Sequence, residues 1–181
     1  LFEKLEIDIF EIINAASTKW NFVPHFPGSG VGGPCLPSNP YYLIQEAIKV
    51  DYVPHLIRMA REINDRMPHY MVELVLKSLN IVNKAVNKSN ICILGISYKA
   101  DIGDYQISPA FHVIDELIRL GGNIKIYDPF FKNSIVENYK IEKSLDAAVK
   151  DADCLVIITD HTEFKKMDLN KILNLTKSPL V

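Results

Sequence analysis

The chain has 181 residues, 48% of them apolar and 23% charged, with a formal net charge of −2. This is the composition of a globular protein long enough to bury a core without disulfides or metals. The near-neutral balance excludes an electrostatic footprint for nucleic acid, and no apolar run reaches the length of a membrane span.

In chain order, residues 1–16 read as short helices, because Leu5, Ile9, Ile12 and Ile13 recur at helical spacing. Residues 18–39 hold four prolines and four glycines and read as loop. Asn39 is expected as an N-cap, with Pro40 at the first helical position. A long helical pattern over 54–79 carries Leu56, Met59, Ile63, Met71, Leu74 and Val75; Pro68 within it predicts a kink or a second helix start.

From Asn90 the pattern changes. Strands are expected over 91–94, 124–127 and 154–158, with helices over 109–120, 144–150 and 168–173. Strands alternating with helices predict a small Rossmann-like, doubly wound parallel sheet. The fold class is therefore α/β, a helical central region (1–89) followed by that sheet domain (90–181). The helical start and the apolar stretch near Ser178 lead us to expect a piece of a longer protein.

Cys35, Cys92 and Cys154 show neither a disulfide framework nor a C-x-x-C metal site, so reduced thiols in a cytoplasmic setting are expected. His25, His55, His69, His112 and His161 have no ligand spacing, and no metal is assigned. Gly28-Ser29-Gly30-Val31-Gly32-Gly33 matches G-x-G-x-x-G literally, but prolines on both sides replace the strand and helix that a dinucleotide fingerprint requires. Glycines here would let backbone N–H groups approach a ligand closely; a plain flexible loop is the alternative. Cys35 follows them after Pro34 and lies four residues before the expected helix cap, where the helix dipole favours a thiolate. A buried loop cysteine stands equal on that ground. Asp128, closing the second strand, reads equally as a ribose acceptor or an Asp-Pro turn.

The segment from Thr18-Lys19 through Phe26-Pro27-Gly28 to Gly33-Pro34-Cys35-Leu36-Pro37, then Pro40-Tyr41-Tyr42-Leu43, resembles the active-site region of the UDP-glucose/GDP-mannose dehydrogenase family. A second block agrees: Leu94-Gly95-Ile96-Ser97-Tyr98-Lys99, Asp101, Asp104, Ser108-Pro109-Ala110 and Tyr127-Asp128-Pro129. The similarity is greatest to the branch acting on UDP-N-acetylhexosamines. The resemblance implies oxidation of a sugar C6 alcohol to a carboxylate with two NAD+, through a thiohemiacetal and a thioester on Cys35. It implies that Phe26, Gly28, Gly30, Gly32 and Gly33 lie at the sugar, and that Tyr98 and Lys99 contact the UDP moiety.

Two positions depart from the family. Asn39 stands where the family has an Asp that helps position the hydrolytic water, and Gln106 replaces an Arg on the cofactor side. The first bears on thioester hydrolysis, the second on cofactor affinity or sugar preference. NAD is expected mainly on an N-terminal domain outside this chain, which alone would be inactive. Pairing of two copies through the central helices is also implied. UDP-glucose or GDP-mannose as substrate, a non-catalytic UDP-sugar-binding module and a cysteine hydrolase are the competing readings.

Overall fold

The computed structural model describes residues 2–177. Helices α1 (Ile9–Ala16), α2 (Asn39–Lys49), α3 (His55–Asp65) and α4 (Met67–Ile81) come first. Strand β1 (Asn90–Leu94), α5 (Pro109–Arg119) and β2 (Asn123–Tyr127) follow. After them come the hairpin β3 (Ile135–Val136) and β4 (Tyr139–Lys140), α6 (Leu145–Val149) and β5 (Cys154–Ile157). The short helices α7 (Thr162–Lys165) and α8 (Leu169–Leu175) complete the described order.

β1 lies between β2 and β5 in a wholly parallel sheet, with Ile91 opposite both Ile124 and Cys154. Successive side chains of a strand point to opposite faces. Ile91, Ile93, Cys154 and Val156 accordingly enter one core with Val72, Val75 and Leu79 of α4 and Val113 and Leu117 of α5. Cys92, Leu94, Tyr127 and Leu155 enter a second core with Ala148, Val149, Phe164 and Ile172. Parallel strands need cover on both faces, and the two cores supply it, giving the doubly wound layering expected from the sequence. Leu79, Ile93 and Leu117 are fully buried. Truncation of such a side chain to Ala costs about 2–5 kcal/mol. Because α4 packs into the first core, the division expected between residues 89 and 90 does not interrupt that core.

The pattern over 54–79 is two helices, α3 and α4, separated at Arg66. Pro68 falls in the first turn of α4, where its missing N–H is no loss. The N-cap expected at Asn39 is corrected to Ser38, with Asn39 already helical. The carbonyl of Cys35 accepts from the N–H groups of Ser38 and Asn39, at 3.2 and 2.9 Å, so the chain is turning before the helix starts. The hairpin and α7 went unexpected, because elements of two and four residues carry no readable period. The strand expected near Ser178 lies outside the described residues. Among the described residues no helix is long and apolar enough to cross a membrane.

Asp153, just before β5, is 7% exposed. It accepts from Lys84 Nζ at 2.6 Å and from the Asn90 N–H at 2.8 Å. Burial pushes its carboxyl up, but these hydrogen bonds outweigh burial and hold it below the ordinary aspartate value. A carboxyl depressed on folding stabilises the fold above its unfolded pKa and loses that contribution as pH falls through the folded one. Urea midpoints should therefore fall between about pH 5 and pH 2. Asp153→Asn should flatten part of that fall and cost about 1–3 kcal/mol at pH 7. An unchanged pH profile in the variant would remove Asp153 from this role.

Candidate functional site

The glycine-rich loop lies pressed against residues 98–109. A Cβ at Gly32 would come within 2.7 Å of both the Ile107 carbonyl oxygen and Tyr98 Cβ, and one at Gly33 within 2.9 Å of the Tyr98 ring. Gly33, at φ +91°, also donates its N–H to the Gln106 carbonyl at 2.8 Å. Only glycine permits so close an approach of two backbones.

The other side of the loop is held from α3. Asn64 Oδ1 accepts from the Val31 N–H at 3.0 Å and from Arg61 Nη1 at 3.3 Å. Arg61 also pairs with Asp65, which accepts from the Tyr41 hydroxyl of α2. Arg61 is 8% exposed, and its Nε has no hydrogen-bond partner. This chain of contacts ties α2, α3 and the glycine loop together, and Cys35, between the loop and α2 in the sequence, is exposed. Sequence reading missed Arg61 and Asn64, since polar residues three apart on a helix give no sign of being turned inward.

A cleft of about 350 Å³ opens between this loop and the loops that follow β1 and β5. Gly28, Gly30, Tyr98, Lys99, Thr159 and Asp160 are among its lining. Such a crevice beyond the carboxyl ends of parallel strands is where α/β sheets bind ligands. Lys99 is exposed. No hydrogen bond or ion pair engages its ammonium among the described residues. Asp160 is engaged by Lys165 at 2.7 Å. The cleft thus offers a free cation beside backbone N–H groups, an arrangement suited to phosphate.

Asp128 is fully buried. Its Oδ2 accepts from the N–H groups of Ile96 and Ser97, the Ser97 hydroxyl and His161 Nε2, and its Oδ1 from the Phe130 N–H. Burial pushes the carboxyl up, but these bonds outweigh it and hold it below the ordinary aspartate value. Its oxygens are committed within the protein, which supports the turn reading over a ribose contact.

Gly28, Gly30, Tyr98 and Lys99 therefore share one cleft, and Gly32 and Gly33 reach it through Tyr98. Phe26, Cys35, Asn39 and Gln106 lie outside its lining. Phe26 is exposed and stacks on Phe10 at 5.9 Å. Asn39 sits in the first turn of α2. Gln106 lines a separate cavity of about 620 Å³ with Phe111, His112, Asp115, Glu137 and Tyr139. That lining holds two carboxylates and no Lys or Arg, so it does not fit the pyrophosphate of NAD. The glycine loop, lying between prolines, does not fit it either. Among the described residues no group of three or more His, Cys, Asp or Glu could hold a metal ion.

Residues 92–181 match the UDP-glucose/GDP-mannose dehydrogenase family, UDP binding domain, and residues 1–66 match that family's central domain. The chain is 36% identical over 166 residues to a UDP-N-acetyl-D-mannosamine dehydrogenase of Pyrococcus horikoshii, covering 92% of this chain and 37% of the relative. It is 31% identical to a UDP-N-acetyl-D-glucosamine 6-dehydrogenase of Salmonella typhi, covering 92% of this chain and 39% of that protein. The solved structure of the UDP-D-ManNAc dehydrogenase from Pyrococcus horikoshii superposes with a TM-score of 0.86 at 32% identity. It covers 97% of this chain and 40% of the other. The chain thus spans less than half the length of these relatives.

The thiols differ in a way that can be tested. Burial pushes the Cys92 and Cys154 thiols up to about 12 and about 11, whereas Cys35 is exposed. One equivalent of iodoacetamide at pH 7.5 (about neutral, where buried thiols stay protonated) should label Cys35 alone, as read by peptide mass mapping. Equal labelling of Cys92 would contradict this packing. Separately, Gly32→Ala should lower the unfolding midpoint by the equivalent of about 1–3 kcal/mol, the usual cost of overpacking. An unaltered melt would mean that residues 98–108 move aside freely.

Proposed function

The chain belongs to the UDP-glucose/GDP-mannose dehydrogenase family, and from that premise we propose that it binds and presents the sugar nucleotide in an NAD-dependent UDP-N-acetylhexosamine 6-dehydrogenase. The observation that carries this reading is the cleft at the ends of β1 and β5, where the unpaired Lys99 faces the backbone of Gly28 and Gly30. The names of the two relatives support an N-acetylhexosamine over glucose or mannose.

In this proposal the loop after β1 takes the diphosphate through Lys99, while the glycine loop directs the sugar toward Cys35. Primary alcohol to carboxylate is a four-electron oxidation, and two NAD+, bound by residues outside this chain, supply the hydride acceptors. What this chain contributes is the thiol. The Cys35 sulfur adds to the aldehyde carbon to give a thiohemiacetal, which after oxidation is a thioester. Water then attacks the acyl carbon, releasing the carboxylate and returning the thiol. Asn39, one turn from Cys35, orients that water through its amide. Gln106, lining a separate cavity with Asp115 and Glu137, takes no part in holding the cofactor. Residues 1–89 then carry the thiol and residues 90–181 the nucleotide site.

Two further parts belong to the same proposal. Leu56, Met59 and Ile63 form an exposed apolar strip on α3, suited to pairing two copies through the central helices. A cytoplasmic, reducing setting keeps Cys35 a thiol.

Calorimetric titration tests the core of the reading. The protein should bind UDP and not NAD+, and Lys99→Ala should weaken UDP binding about tenfold or more, the loss of one charge-assisted hydrogen bond. No binding of UDP, or tight binding of NAD+, would assign the cleft to another ligand.

A further inference from the structure

We infer that His161 is a positioning residue: in its neutral form, protonated at Nε2, it fixes the loop that carries Tyr98 and Lys99 over the cleft. The inference rests on the reading of that cleft as a UDP-sugar site.

His161 is fully buried, although it lies in a segment between β5 and α7. Its Nδ1 is 2.9 Å from the backbone nitrogen of Asp101, a group that can only donate. Nδ1 therefore carries no proton. Its Nε2, 3.1 Å from Asp128 Oδ2, must then be the nitrogen that does. The Asp101 carboxylate is 3.8 Å from Nδ1, beyond hydrogen-bond distance, and does not compete. The rings of Phe130 and Phe164, at 5.3 and 5.5 Å, pack against the imidazole.

The consequence is a loop held at both ends. On the near side, Ile96 and Ser97 donate to Asp128, and Thr159 Oγ1 donates to the Ser97 carbonyl at 2.6 Å. On the far side, Asp101 donates to His161 and accepts from the N–H and hydroxyl of Thr162, at 2.9 and 2.6 Å. Tyr98 and Lys99 lie between these anchors. Among the described residues Lys99 makes no polar contact of its own, so its place over the cleft comes from its neighbours in the loop. Asp101 at φ +60° lies in the left-handed region, a conformation that needs such outside support in a residue other than glycine.

A merely structural histidine and a positioning one respond differently to two replacements. In His161→Asn, the side-chain oxygen takes the place of Nδ1 and keeps the acceptor for Asp101. In His161→Gln, the amide nitrogen takes the place of Nε2, keeping the donor to Asp128 and giving up the acceptor. Asp128 retains its backbone donors in both.

The experiment is titration of each variant with UDP, with amide hydrogen exchange over residues 98–101 and thermal melts alongside. His161→Gln should bind UDP about tenfold more weakly, the cost of one part-buried donor left unpaired, and should exchange faster at Asp101. His161→Asn should stay within about threefold of the parent, a loss below that of one full hydrogen bond. Asp101→Ala, which removes the exposed carboxylate's two bonds to Thr162, should also weaken UDP binding. Equal affinities for the parent and both variants, or equal losses in Asn and Gln, would overturn the inference. So would imidazole nitrogen shifts showing the proton on Nδ1. If the parent itself fails to bind UDP, the ligand assignment falls. The exchange rates in Asn and Gln then decide by themselves whether His161 holds the loop.

Discussion

The buried carboxylate of Asp128 is the point on which the candidate site depends. An ion removed from water costs several kcal/mol unless it is fully hydrogen-bonded. Here the compensation comes from the backbone of Ile96, Ser97 and Phe130, the Ser97 hydroxyl and His161. The loop after β1 cannot drift without stranding that charge. A segment with no regular secondary structure thereby acquires the definition of a strand end. The sheet enters the same arrangement through the Gly95 N–H, which donates to the Tyr127 carbonyl at 2.9 Å, one residue from Asp128.

A second constraint follows from the first. Tyr98 sits in this anchored loop, its N–H bonded to the Asp104 carbonyl at 2.9 Å, and Gly32 and Gly33 lie against its side chain. Cys35 is two residues farther on. The glycine loop that precedes Cys35 and the loop that carries Lys99 belong to different parts of the chain, yet they pack against each other at Tyr98. Arg61, Asn64 and Asp65 fix the opposite side of the glycine loop from α3.

The sheet was legible in the sequence because burial on both faces leaves apolar runs such as Ile91-Cys92-Ile93-Leu94, and the glycines betrayed a close backbone approach by their density alone. The cap at Asn39 was misplaced by one residue because the Cys35 carbonyl, a backbone group without a sequence signature, begins the turn. The polar groups that hold the site were illegible for a deeper reason. Asp128 and His161 are 33 positions apart, and Val31 and Asn64 likewise. Nothing local marks Arg61 or His161 as buried or Asn64 as half-buried, since their burial depends on partners that topology brings in. Sequence reading named Tyr98, Lys99 and the glycines of the cleft, and the structure supplied the groups that hold their loops.

That division has an energetic logic. Among the described residues Arg61 Nε is the buried side-chain nitrogen or oxygen that lacks a hydrogen bond. The other buried side-chain nitrogens and oxygens of the described residues are satisfied, whereas Lys99 and Cys35 are left exposed. Lys99 is also the cation of the cleft lining, and the nearby Asp160 is engaged by Lys165. The field within the cleft consequently favours an anion, without an unpaired carboxylate to repel it. Ordering the loops and aligning their dipoles takes place during folding, driven by the two apolar cores and the buried Asp128 network. The backbone of these loops is thereby ordered in advance of any ligand, which is what preorganisation means here.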